Sequence, residues 1–212
     1  MAHLLNESRV YRIIGTTPIL GTQPCSTALR TEYVASKAPT PELAEEEAAL
    51  GPNIEEKGLT IFTRDAQEQI CLMAYQIKGF FKSALMALKS QTGIAAPKSK
   101  VDTLLFVGPR YIPIKRDGAP IHEEDSVNER PLRAQTAQGE RVSLVGSEQL
   151  DTPWEIEIEI TLFPSGETKK SQAMSWEAVE TALDYGAFHG LGQWRNADYG
   201  QFIWKRVDDD DE

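Results

Sequence analysis

Between positions 186 and 200 the chain reads Gly186-Ala187-Phe188-His189-Gly190-Leu191-Gly192-Gln193-Trp194-Arg195-Asn196-Ala197-Asp198-Tyr199-Gly200. Glycines permit backbone geometries that other residues resist and let another chain come close, so the stretch reads as a binding loop. Backbone N–H groups at Gly190, Gly192 and Gly200 can cradle phosphate. Arg195 can pair with a phosphate, and Trp194 and Tyr199 offer flat faces for a base. The same residues also suit a tight connection in which Trp194 packs on the core and Arg195 meets a carboxylate. His189 is a candidate general acid or base, but the sequence places no nucleophile or second acid–base group beside it, and a loop histidine without a catalytic role is the alternative. His3 and His122 are isolated, and no metal-ligand spacing, nucleophile elbow or Walker loop is present. The expectation is a protein that is not an enzyme and needs no metal and no cofactor.

Two other groups of cations stand out. Lys78, Lys82 and Lys89 can track a nucleic-acid backbone or simply form a solvated helix face. Arg130, Arg133 and Arg141 can form a basic finger or make local ion pairs of small worth.

The net charge of −10 argues against nucleic acid until its distribution is considered. Asp208 to Glu212 carries −5 and Glu42 to Glu56 carries −6, which leaves +1 for the rest. Charge runs are usually solvated segments. The two cysteines, Cys25 and Cys71, fit reduced thiols. No apolar run is long enough to span a bilayer, and the start of the chain has no basic region or apolar signal core. A cytoplasmic protein is expected.

The elements that position these residues follow from pattern. Val10-Tyr11-Arg12-Ile13-Ile14 reads as a strand. Tyr75 to Lys89 reads as a helix, with Ile77, Phe81, Ala84, Leu85 and Leu88 on one stripe, and Gly93 and Pro97 marking its end. Thr103-Leu104-Leu105-Phe106-Val107 reads as a buried strand, extended by Arg110 to Ile114. Trp154 to Leu162 alternates apolar residues with Glu155, Glu157 and Glu159, as a half-buried strand does. Ser175 caps a second helix, with Met174 and Val179 placed for a hydrophobic staple. Gln201 to Val207 is the last strand, and Leu59 to Phe62 a short additional one. Two insertions, about 16–58 and 116–152, are expected, the first mobile and the second irregular with a minor strand at Val142 to Val145. One domain over 1–207 with an acidic tail at 208–212 accounts for the length.

The order strand, helix, strand, strand, helix, strand is the ferredoxin-like βαββαβ arrangement, an α+β fold with two helices on one face of an antiparallel sheet. That order, with the glycine-rich loop before the last strand and Lys78-Gly79-Phe80-Phe81-Lys82 near the start of the first helix, resembles the RAMP superfamily of CRISPR-associated RNA-binding proteins. Glu129-Arg130-Pro131-Leu132-Arg133-Ala134-Gln135-Thr136, with Ser147-Glu148 after it, is similar to uncharacterised phage and prophage proteins that resemble CRISPR effector backbone subunits. The resemblance implies a phage-derived, non-catalytic binder of single-stranded nucleic acid, RNA before DNA. It would work as an oligomer along the strand or within a complex, and away from membranes. It also implies that Arg130, Arg133 and Arg141 form a basic finger inserted between nucleotides, and it offers His189 the general acid or base role found in RNA-cleaving members of the superfamily. The alternative is an acidic protein–protein module, such as a phage-encoded inhibitor or assembly factor, in which the acidic segments and the glutamate-faced strand imitate nucleic acid.

Overall fold

The structure, a computed structural model, describes residues 6–25, 59–136, 139–163 and 172–207. Eight principal strands are β1 (Glu7–Gly15), β2 (Ile70–Met73), β3 (Leu105–Gly108), β4 (Tyr111–Pro113), β5 (Ser126–Thr136), β6 (Gly139–Leu150), β7 (Glu155–Leu162) and β8 (Phe202–Arg206). The helices are α1 (Ala74–Ala87), α2 (Lys89–Thr92), α3 (Pro97–Leu104), α4 (Trp176–Asp184) and α5 (Gly186–His189). The fold is mixed α+β.

The main sheet runs β8-β1-β7-β3, with each pair antiparallel. Alternation does what the sequence requires: Ile156, Ile158, Ile160 and Leu162 are fully buried, while Glu155, Glu157 and Glu159 lie on the other face. Tyr11 and Ile13 of β1 join the buried set. Helices α1 and α4 pack on this apolar face. Phe80 meets Phe202 edge to face at 5.4 Å, and Trp176 lies 6.3 Å from Tyr11. In α1 the buried residues Ile77, Phe81, Ala84 and Leu85 follow the expected stripe, with Phe80 added. In α4 the Ser175 hydroxyl accepts from the Ala178 N–H, and Glu177 lies in the first turn.

The structure departs from the sequence pattern in four places. Thr103 and Leu104 close helix α3 and do not open a strand. Pro97 does not stop a helix but opens this one, at the first position, where a missing N–H costs nothing. Tyr111–Pro113 does not extend the main sheet but pairs with Ile70–Met73, which in turn pairs with Thr63–Arg64. The insertion 116–152, expected to be irregular, contains the long antiparallel hairpin β5–β6. Pro131 disfavours a central strand, yet β5 is the edge of its sheet, where a residue without an N–H is tolerated.

Of the first insertion, Ile19–Leu20 pairs with the end of β6, and Gln23–Pro24 with Thr60–Ile61. The acidic segment Glu42 to Glu56 and the tail 208–212 lie outside the described residues. Both cysteines are free, and burial pushes the Cys71 thiol up to about 11. Among the described residues no helix is long and apolar enough to cross a membrane.

Candidate functional site

The loop after α5 is drawn shut at its base. The Leu191 N–H donates to the Gly200 carbonyl at 2.8 Å, and the Gly200 N–H to the Pro18 carbonyl at 2.7 Å. Both flanking glycines have positive φ, +70° at Gly190 and +73° at Gly200. A Cβ at Gly200 would lie 2.0 Å from the Leu191 oxygen, and one at Gly190 would lie 2.4 Å from the Tyr199 oxygen. These two glycines therefore serve the closure of the loop. Inside it, Gln193 Nε2 lies within hydrogen-bond distance of the Gly21 carbonyl (2.5 Å), Thr60 Oγ1 (2.6 Å) and Ser147 Oγ (2.7 Å). The loop is thereby tied to the first insertion and to the hairpin.

Trp194 and Tyr199 do stack, but on each other, at 5.2 Å and 15°. The Arg130 guanidinium lies 4.6 Å from the Trp194 ring on a residue only 6% exposed. It donates to Ser147 Oγ at 3.1 Å, and burial lowers its pKa. Asn128 donates to the Tyr199 hydroxyl at 2.9 Å. Two buried atoms beside this stack, Arg130 Nε and Asn128 Oδ1, have no hydrogen-bond partner among the described residues. Arg130, expected on a basic inserted finger, lies on β5 of the hairpin with its side chain buried against Trp194. Arg133 lies on β5, and its side chain is outside the described residues.

Arg195 is held from the other side. Its Nη1 donates to His189 Nε2 at 2.7 Å and approaches Ser83 Oγ at 3.5 Å. A guanidinium can only donate, so His189 accepts at Nε2 and carries its proton on Nδ1. Burial, and then the Arg195 charge, lower the His189 pKa, and the ring stacks on Tyr185 at 5.1 Å. The Ser83 hydroxyl donates to the Phe80 carbonyl at 2.9 Å.

Arg195 and Gly192 line one side of a cleft of about 360 Å³ whose other walls are Gln76 and Phe80 of α1 and the Thr22–Gln23 segment. Tyr75 stands at its rim, 58% exposed. The first turn of α1, the positive end of the helix dipole, contains no acidic residue. Another cleft, about 320 Å³ around Gln91 and Ser175, has no cationic side chain in its lining and includes Glu177.

The arginines divide by partner. Arg9 pairs with Glu7 and Glu180, Arg12 with Glu157, Arg64 with Glu124 and Glu148, and Arg116 with Asp125, at 2.6 to 3.2 Å. Arg195 has no carboxylate partner among the described residues. Lys78 and Lys82 do not line the cleft: Lys82 pairs with Asp102 at 2.6 Å, and Lys78 donates to the Asp102 carbonyl and lies over Phe106. Glu157 of the glutamate-bearing strand sits between Arg12 and Lys115, at 2.8 and 3.2 Å. Among the described residues no group of three or more His, Cys, Asp or Glu side chains could hold a metal ion.

The loop arginine, Gly192 and the start of α1 are thus brought together, while Gly190 and Gly200 close the loop and Arg130 and Tyr199 hold Trp194, itself 39% exposed, outside the lining of this cleft. Thr22, Tyr75 and Gln76 of this cleft, and Ser83 beside Arg195, carry no motif that marks them in the sequence as binding residues. Tyr75 alone left a signal, as an aromatic residue at the opening of a helix and outside its apolar stripe. No protein-family profile and no curated protein matches the chain. Among solved structures it is similar to a chain in the cryo-electron-microscopy structure of the Type III-B Cmr-β complex bound to cognate target RNA. The TM-score is 0.47 at 8% identity, with 94% of this chain and 59% of that chain covered.

Proposed function

We propose that the chain is a non-catalytic binder of single-stranded nucleic acid, RNA in preference to DNA, that grips the strand in the cleft between the glycine loop and α1. The observation that carries the reading is Arg195, a guanidinium without a carboxylate on the wall of a cleft rimmed by an exposed tyrosine. Arginine suits phosphate, and an aromatic face accepts any base. The strand order β8-β1-β7-β3, with α1 and α4 on one face, supports a ferredoxin-like, RAMP-like core.

A non-catalytic role is favoured by His189, whose acceptor nitrogen is engaged by Arg195. A general base needs that lone pair for the proton it removes. A nuclease would instead show RNA cleavage lost in His189→Ala. The acidic-module reading draws less support from the glutamate-faced strand, because Glu157 is paired with two cations. Its other two segments lie outside the described residues.

The test is fluorescence anisotropy with labelled single-stranded RNA and DNA over a salt series, on wild type and Arg195→Gln. Affinity should fall linearly with salt on logarithmic axes. Arg195→Gln should weaken binding by about 1.5–3 kcal/mol, the worth of a hydrogen bond to a charged group, and reduce the salt slope by about one. Salt-independent binding, or an unchanged slope in the variant, would overturn the proposal. Several copies along one strand would appear as a stoichiometry that steps up with oligonucleotide length.

A further inference from the structure

We infer that the cleft is one of two adjoining nucleotide subsites, the second built from Tyr75, Arg110 and Tyr111. The inference rests on the nucleic-acid reading and extends it to residues outside the glycine loop. A second cavity, of about 480 Å³, shares Gln23 and Tyr75 with the first and continues past them to Arg110 and Tyr111. Gln23 Nε2 donates to the Tyr75 hydroxyl, so the divider between the two is a hydrogen-bonded pair.

The backbone holds this second compartment against the start of α1. Tyr111 pairs with Met73 across β4 and β2, and the Ala74 N–H donates to the Arg110 carbonyl at 3.0 Å. Placement is therefore rigid, while the side chains stay open. Tyr75 is 58% exposed and Tyr111 41%, whereas Tyr11 is fully buried in the core. The Arg110 guanidinium lies 5.7 Å from the centroid of the Tyr111 ring. Like Arg195, it has no carboxylate partner among the described residues.

Three observations select the ligand. The chain carries 32 acidic side chains, yet none of the described ones lines either cavity. Each cavity has one guanidinium, and an exposed tyrosine stands between them. An arginine over an aromatic ring offers a stacking face together with a charge. A chain of alternating flat bases and phosphates fits that spacing of functions, and a folded protein surface does not require it. The second subsite takes the neighbouring base on Tyr75 or Tyr111 and its phosphate on Arg110.

The test is anisotropy with single-stranded oligouridylates of increasing length, across the roughly 4 to 16 nucleotides that such sites occupy. The proteins are wild type, Arg195→Gln, and Arg110→Gln combined with Tyr111→Ala, each checked for an unchanged thermal transition. Wild-type affinity should climb with length to a plateau. Arg195→Gln should weaken binding at every length. The Arg110→Gln, Tyr111→Ala protein should match wild type on the shortest ligand bound and fall behind by roughly ten-fold or more on longer ones, as loss of one stacked base predicts. If this protein follows the wild-type curve at all lengths while Arg195→Gln does not, the cleft stands and the second subsite is wrong. If wild type binds at no length, both are wrong.

Discussion

Arg130 and Arg195 carry the same group and use it differently. Arg130 is buried under Trp194 with one nitrogen unpartnered, so its contribution is mostly packing. Arg130→Ala should cost about 2–4 kcal/mol, the range for truncating a long buried side chain. Arg130→Met should restore more than half of that, since apolar replacements of buried charges are tolerated well. Urea unfolding separates the cases, and equal losses in the two variants would assign the role to the charge. Arg195 depends on a neutral His189. The His189 pKa is lowered from its ordinary value of 6.5, so between the two values the unfolded chain binds more protons than the folded one. That contribution to stability is complete above the unfolded value and is lost as pH falls through the folded value. The melting temperature of wild type should therefore drop more between pH 7 and pH 5 than that of His189→Gln. The opposite order would mean that Arg195 does not donate to a neutral ring.

At the scale of elements, the glycine loop behaves as a clasp. Gly200→Ala would place a methyl group 2.0 Å from a carbonyl oxygen at φ +73°. It should cost upward of about 3 kcal/mol, as strain and backbone clash together predict, whereas Gly118→Ala, at φ +79° with nothing within 4 Å, pays only the backbone term. Thermal melts of the two proteins check the contrast. The elements most legible in the sequence were those whose own residues dictate them: the Ile–Glu alternation of β7, the stripe of α1 and the Ser175 cap of α4. Ile70–Met73 was not legible, because four consecutive residues give no period and its pairing with Tyr111–Pro113 is non-local. The hairpin was obscured by Pro131, whose meaning depends on being at an edge. Of the site, the loop residues were visible as types, but their division into frame and cleft depends on which backbone closes on which.

For the whole molecule, acidity and nucleic-acid binding are compatible because the negative charge is unevenly placed along the chain. Removing residues 208–212 takes away five carboxylates. It should accelerate RNA association roughly 2- to 10-fold at low salt, with the gain vanishing near molar salt, where screening is complete. Stopped-flow association over a salt series measures this, and a gain that persists at high salt would point to a direct contact in place of steering. The order of the main sheet carries a different consequence. β1 opens the described chain, yet its two neighbours are β7 and β8, from the chain's far end. A nascent polypeptide leaving the ribosome exposes β1 with both edges unpaired until 155–162 emerges, and with one edge unpaired until 202–206 follows. Such long-range pairing slows folding and leaves an interval in which a bare strand can recruit the wrong neighbour. Expression should therefore be more sensitive to chaperone supply than the stability of the finished molecule suggests.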